Sequence, residues 1–128
     1  MKTAYIPGDY ARASELRFVP VPGDGVMDVF GDKSVVLFPS PGHTSGHQSL
    51  MVKSGGKTYI ITGDAGYTLE NVEGGVAPGL AWDVPQALQA LRMFKVLRDT
   101  DPEKVVIVPS HDPSFWADKP LAPSLFVV

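Results

Sequence analysis

At 128 residues, with 44% hydrophobic, 9% aromatic and 20% charged positions, the chain suits one globular domain with one modest core. Eleven Lys plus Arg against 14 Asp plus Glu leave a net charge of −3 and no basic block, which argues against nucleic acid as a partner. The absence of cysteine excludes disulfide frameworks, thiolate zinc sites, iron–sulfur clusters and cysteine nucleophiles, so any metal must use carboxylates and the imidazoles of His43, His47 and His111.

Residues 1–14 mix Pro7, Gly8 and Asp9 with apolar positions and are weakly specified. Residues 16–21 are predicted to form a strand that stops at Pro22-Gly23-Asp24-Gly25. Residues 26–30 and 34–38 read as a hairpin around Gly31-Asp32-Lys33. The next segment, Pro39-Ser40-Pro41-Gly42-His43-Thr44-Ser45-Gly46, is a rigid polar loop in which proline fixes the backbone and glycine permits unusual angles. A second hairpin pairs residues 48–52 with 58–62 across Lys53-Ser54-Gly55-Gly56-Lys57.

Residues 69–81, with Gly74-Gly75 and Pro78-Gly79, are expected to be a long surface loop. A helix is predicted over residues 84–99, with Asp83 as N-cap, Pro85 in the first turn and Gln86 at capping-box spacing. Its apolar face is Val84, Ala87, Leu88, Leu91, Phe94 and Leu97; Gln89, Arg92, Lys95 and Arg98 occupy the other. Residues 104–108 form a β-branched run short enough for a buried strand, ended by Pro109-Ser110-His111-Asp112. There is no internal repeat and no dividing linker. No apolar run approaches the ~18 residues that span a bilayer, and residues 1–5 hold no apolar signal core. The expectation is a soluble, unexported, cytoplasmic protein with no membrane partner.

His43, Asp64 and His111 each follow a predicted strand. In an antiparallel meander the first and third strands run the same way, so the loops carrying His43 and Asp64 share one sheet edge. The segment from residue 62 through the helix to residue 104 is a strand–helix–strand crossover, which returns the last strand parallel and brings His111 to the same edge. Two imidazoles and a carboxylate make a sound ligand set for zinc or a similar divalent ion. Nucleophile alternatives are poor: no G-x-S-x-G elbow exists, and adjacent side chains of Ser110-His111-Asp112 in extended backbone point to opposite faces. Phosphate-cradling loops are absent as well.

Pro41-Gly42-His43-Thr44-Ser45-Gly46-His47-Gln48-Ser49, Thr62-Gly63-Asp64-Ala65 and Ser110-His111-Asp112, in that order, resemble the later metal-binding motifs of the metallo-β-lactamase superfamily. Gly63-Asp64-Ala65-Gly66-Tyr67-Thr68-Leu69-Glu70-Asn71 and the Trp82-Asp83 helix entry are similar to the N-acyl homoserine lactonase, or quorum-quenching, branch. The resemblance implies an α/β fold, specifically the C-terminal half of an αβ/βα sandwich. Its sheet would be mixed but mainly antiparallel and covered by one main helix, with residues 1–128 as a single domain.

Carried over position by position, the resemblance makes His43 a ligand of one metal, His111 a ligand of the other, and Asp64 the bridge. The cofactor is zinc or another divalent metal, two per complete site. The implied reaction is opening of a small-molecule lactone or ester by a metal-bound hydroxide, with Asp64 and Tyr67 as catalytic residues and Tyr67 stabilising the oxyanion. His47 matches a motif residue that is not a ligand and would hold the His43 loop from behind, while Asp112 is a cap or an outer partner.

Two departures stand out. Ser45 occupies a position where the family usually has proline, and no histidine precedes His43, so the family's first motif, H-x-H-x-D-H, is absent. The chain is therefore expected to be half of a larger hydrolase whose N-terminal half is missing. The alternatives are a non-enzymatic half-domain that pairs with another chain or as a homodimer, and a metallo-hydrolase of another ester, a thioester or a phosphodiester. A single helix layer would leave the far face of the sheet apolar and open.

Overall fold

The computed structural model describes residues 8, 11–21, 23 and 25–119. Most of the weakly specified first fourteen residues, and Pro22 and Asp24 of the predicted turn, lie outside the described residues. A five-stranded sheet runs in the order β1 (Met27–Asp28), β2 (Val35–Pro39), β3 (Gln48–Ser54), β4 (Lys57–Ile61) and β5 (Val105–Val108). The first four strands pair antiparallel and β5 joins β4 in parallel, the mixed, mainly antiparallel arrangement expected of the crossover.

Side chains alternate across a strand, so the register sorts the sheet into two faces. On one face Val36 lies opposite Met51, Met51 opposite Ile60, and Ile60 opposite Ile107. The long helix α2 (Val84–Thr100) covers this face with Ala87, Ala90, Leu91 and Phe94 buried, and the Phe94 ring meets Phe38 edge-on at 6.4 Å. Asp83 caps α2 as expected, accepting from the Gln86 backbone N–H and from its side-chain amide.

The predicted apolar face of this helix needs one correction. Val84 is exposed and Ala90 is buried, because two overlapping i, i+3, i+4, i+7 stripes are written into the helix and packing selects the one through Ala87, Ala90, Leu91 and Phe94.

Two further expectations fail. Residues 16–21 belong to no strand; Leu16, Phe18 and Val19 have strand propensity but stay largely exposed, with Phe18 at 75%. Strand propensity describes fit to a half-buried pleated surface, and no neighbouring strand among the described residues supplies one here. The expected 69–81 loop begins with a helix, α1 (Leu69–Gly74). Thr68 and Asn71 form a reciprocal capping box, and Gly75 closes the helix in the left-handed conformation. The glycines that suggested a loop are thus a helix terminus, and asparagine replaces the usual acid or glutamine of the box.

The second face of the sheet carries Leu37, Leu50, Ile61 and Val108 in one row and Val35, Val52, Tyr59 and Val106 in the next. Neither α1 nor α2 packs on it. The short helix α3 (Pro113–Trp116) sits at its β5 edge, where Tyr59, Val106, Val108, Phe115, Trp116 and Lys119 line an open hollow of about 370 Å³.

Candidate metal centre

Three loops leave the sheet at the same rim, after Pro39, Ile61 and Val108. The first holds His43 and is pinned to the start of α2, where Trp82 and Asp83 donate backbone N–H groups to the carbonyls of His43 and Gly42. Gly42 has φ of +136°, and a Cβ there would lie 2.3 Å from the Ala87 backbone nitrogen, so only glycine allows this close approach. The second loop is a 3₁₀ turn, Gly63–Ala65, which presents Asp64. The third carries His111, whose backbone N–H donates to the Tyr67 carbonyl.

His43, Asp64 and His111 meet as the strand order requires. Asp64 Oδ2 lies 3.5 Å from His43 Nε2, and Asp64 Oδ1 lies 2.9 Å from His111 Nε2. One carboxylate oxygen therefore faces each imidazole. The two histidines differ in cover: the His43 side chain is 22% exposed and that of His111 58%. His43 Nδ1 is buried with no hydrogen-bond partner among the described residues. No group of three or more His, Asp or Glu side chains among the described residues is arranged to hold a metal ion.

Tyr67 packs between the two imidazoles, 4.6 Å from the His111 ring and 6.1 Å from the His43 ring between centroids. Burial, and next the Asp64 charge, push the Tyr67 phenol above its ordinary pKa, so it remains a proton donor at neutral pH.

His47 does more than hold its own loop. Its Nε2 accepts from the Asp64 backbone N–H at 3.0 Å, and its Nδ1 lies 2.8 Å from Ser40 Oγ. Ser40 Oγ in turn meets Ser49 Oγ at 2.7 Å, and the Ser49 hydroxyl donates to the Thr62 carbonyl. Burial, followed by the neighbouring His43, pushes the His47 pKa down and favours the neutral ring. Asp112 caps α3 through Phe115 N–H and accepts from Leu69 N–H, tying α1 to α3. Those bonds hold its carboxyl below the ordinary aspartate range.

Ser40, Ser49 and Thr62, which carry this polar network, and Ser110, whose hydroxyl donates to the Gly63 carbonyl, were not singled out from sequence. Ser49 offered a signal, since the strand alternation places it on the helix-covered face opposite Phe38, where a polar side chain must find a partner.

The sequence pattern of the Metallo-beta-lactamase superfamily matches residues 2–111. The chain belongs to that superfamily. An N-acyl homoserine lactonase, AttM, of Rhizobium radiobacter is 32% identical over 127 residues, covering 95% of this chain and 46% of its own length. An N-acyl homoserine lactonase of Bacillus cereus is 38% identical over 108 residues, covering 79% of this chain and 41% of its own length. Among solved structures, an N-acyl homoserine lactone hydrolase with the product N-hexanoyl-L-homoserine bound at its catalytic metal centre superposes with a TM-score of 0.67 at 31% identity. That match covers 77% of this chain and 38% of the other. The chain thus spans about half the length of the curated relatives it matches.

Proposed function

We propose that the chain forms the C-terminal half of a lactonase-like metallo-hydrolase, with His43 and His111 as ligands of two separate divalent ions and Asp64 as the bridge between them. The observation that carries this reading is the split of the Asp64 carboxylate, one oxygen toward each Nε2, at the ends of three strands. The donor chemistry fits zinc, which takes imidazole and carboxylate ligands in a four-coordinate shell. This chain would give each ion one nitrogen and one oxygen, and the remaining ligands would come from a segment carrying the family's H-x-H-x-D-H motif.

The metals, when bound, lower the pKa of a water and polarise a carbonyl. The chain's own residues would do the rest. Asp64 holds the two halves of the centre in register, and the protonated Tyr67 phenol, standing between the imidazoles, donates to the oxygen on which charge develops as a lactone ring opens.

The test combines the chain with a segment bearing H-x-H-x-D-H, then measures zinc content and hydrolysis of N-hexanoyl homoserine lactone. Two zinc ions per complex and ring opening that is lost in Asp64→Asn are expected. A complex that holds no zinc overturns the reading. Zinc binding with hydrolysis of thioesters or phosphodiesters but not lactones would keep the centre and change the substrate.

The half-buried apolar face of the sheet, on which no long helix packs among the described residues, favours a second reading, a half-domain that pairs with another chain or copy and has no chemistry alone. A complex that forms through this face yet binds no metal is its signature.

A further inference from the structure

The Gly63–Asp64 peptide is gripped from both sides by side chains of the two loops that carry the histidines. Its N–H, on Asp64, donates to His47 Nε2 at 3.0 Å. Its C=O, on Gly63, accepts from Ser110 Oγ at 2.9 Å. His47 follows His43 by four residues and Ser110 directly precedes His111. Gly63 has φ of +54°, and a Cβ there would stand 3.0 Å from His47 Nε2, so the turn brings its backbone against the imidazole only because that side chain is missing.

The hydrogen atoms of this network can be assigned without ambiguity. A backbone N–H can only donate, so His47 Nε2 must carry a lone pair, and the neutral ring then holds its proton on Nδ1. Nδ1–H donates to Ser40 Oγ. The one Ser49 hydroxyl proton is committed to the Thr62 carbonyl, so Ser49 accepts from Ser40. The bonds run in one direction, from Asp64 N–H through His47, Ser40 and Ser49 to the carbonyl of Thr62, and close a ring around the turn that presents Asp64. Ser40, Ser49 and Thr62 are fully buried, which removes competition from water.

We propose that His47, as its Nδ1–H tautomer, and Ser110 are positioning residues that clamp the Gly63–Asp64 peptide and so aim the Asp64 carboxylate between His43 and His111. This builds on the reading of Asp64 as a bridge. The clamp links the three ligand loops through a single peptide plane, so a shift of either histidine-bearing loop is transmitted to Asp64.

Two substitutions separate the jaws of the His47 ring. In His47→Gln the side-chain carbonyl reaches the position of Nε2 and can accept from Asp64 N–H; in His47→Asn the amide reaches only the position of Nδ1 and can serve only Ser40. On the metal-free chain, ¹⁵N spectra of the wild type are expected to show His47 protonated at Nδ1 and unprotonated at Nε2. Hydrogen exchange at the Asp64 amide should accelerate about tenfold in His47→Asn, the equivalent of one lost hydrogen bond, and stay near wild type in His47→Gln. Zinc titration of the complex with the H-x-H-x-D-H segment should follow the same order, with His47→Asn weakened by about 10–100-fold and Ser110→Ala less so.

A His47 proton on Nε2, or equal exchange in the Asn and Gln variants, overturns the clamp, because a packing role alone would not rank these two amides. If the wild-type chain shows the Nδ1–H tautomer and a protected Asp64 amide but its complex with the H-x-H-x-D-H segment binds no zinc, the clamp stands and the metal reading falls.

Discussion

The two faces of the sheet are built from equally apolar strands and end in opposite states. On one, Phe38, Ile60 and Ile107 close against Leu91 and Phe94 of α2. On the other, Leu50, Val52, Tyr59 and Val106 are half-buried and, among the described residues, are bordered by α3 rather than covered by a helix layer. The difference teaches that strand composition does not say whether a face is covered. Buried parallel strands and open ones share the same Val- and Ile-rich run, and the covering layer is supplied from elsewhere in the chain or from outside it.

The largest expected effect lies on the closed face. Phe94→Ala removes a fully buried ring from its edge-on contact with Phe38 and should cost about 3–5 kcal/mol in denaturant unfolding. Gly42→Ala comes next, because its Cβ would enter the first turn of α2 at Ala87. About 1–3 kcal/mol should be lost, and the His43 loop should move away from the helix, visible as shifts in the His43 and Trp82 resonances.

Thr68→Ala removes one half of the α1 capping box and should cost about 1 kcal/mol, measured as earlier thermal unfolding. The same region should respond to acid. The Asp112 carboxyl is held below its ordinary value of 3.8 by Leu69 and Phe115 N–H groups, so its contribution is present above that pH and is lost as pH falls through the lower folded value. Asp112→Asn should flatten that limb of the stability profile.

The smallest effect belongs to the open face. Val106→Thr with Val52→Thr should change folding stability by under about 0.5–1 kcal/mol, since neither side chain sits in the closed core. Self-association of the isolated chain in light scattering should fall in the same variant. An unchanged, monodisperse wild-type monomer would show that this face has no need of a partner.

Much of this was legible from residue order. The strands around residues 27, 35–39, 48–54, 57–61 and 105–108, the α2 cap at Asp83 and the parallel return of β5 follow from turn residues, periodicity and the crossover rule. Membership of the superfamily was legible in the motifs around His43, Asp64 and His111. The α1 helix was hidden because Gly74-Gly75 reads equally well as a loop or as a helix end, and only the Thr68–Asn71 side-chain exchange decides. The segment 16–21 misled because its propensity needed a partner strand.

The sequence alone determined which chemistry is available: no thiol, three imidazoles, and carboxylates spaced after strands. It also determined that His43, Asp64 and His111 reach one rim, because strand direction is a topological consequence of hairpins and a crossover. Only the tertiary structure decided that the two oxygens of Asp64 divide between the imidazoles, and that His47 and Ser110 grip one peptide. Those facts depend on distances of about 3 Å between loops far apart in the chain, and hydrogen bonding is too short-ranged and directional to be read from spacing.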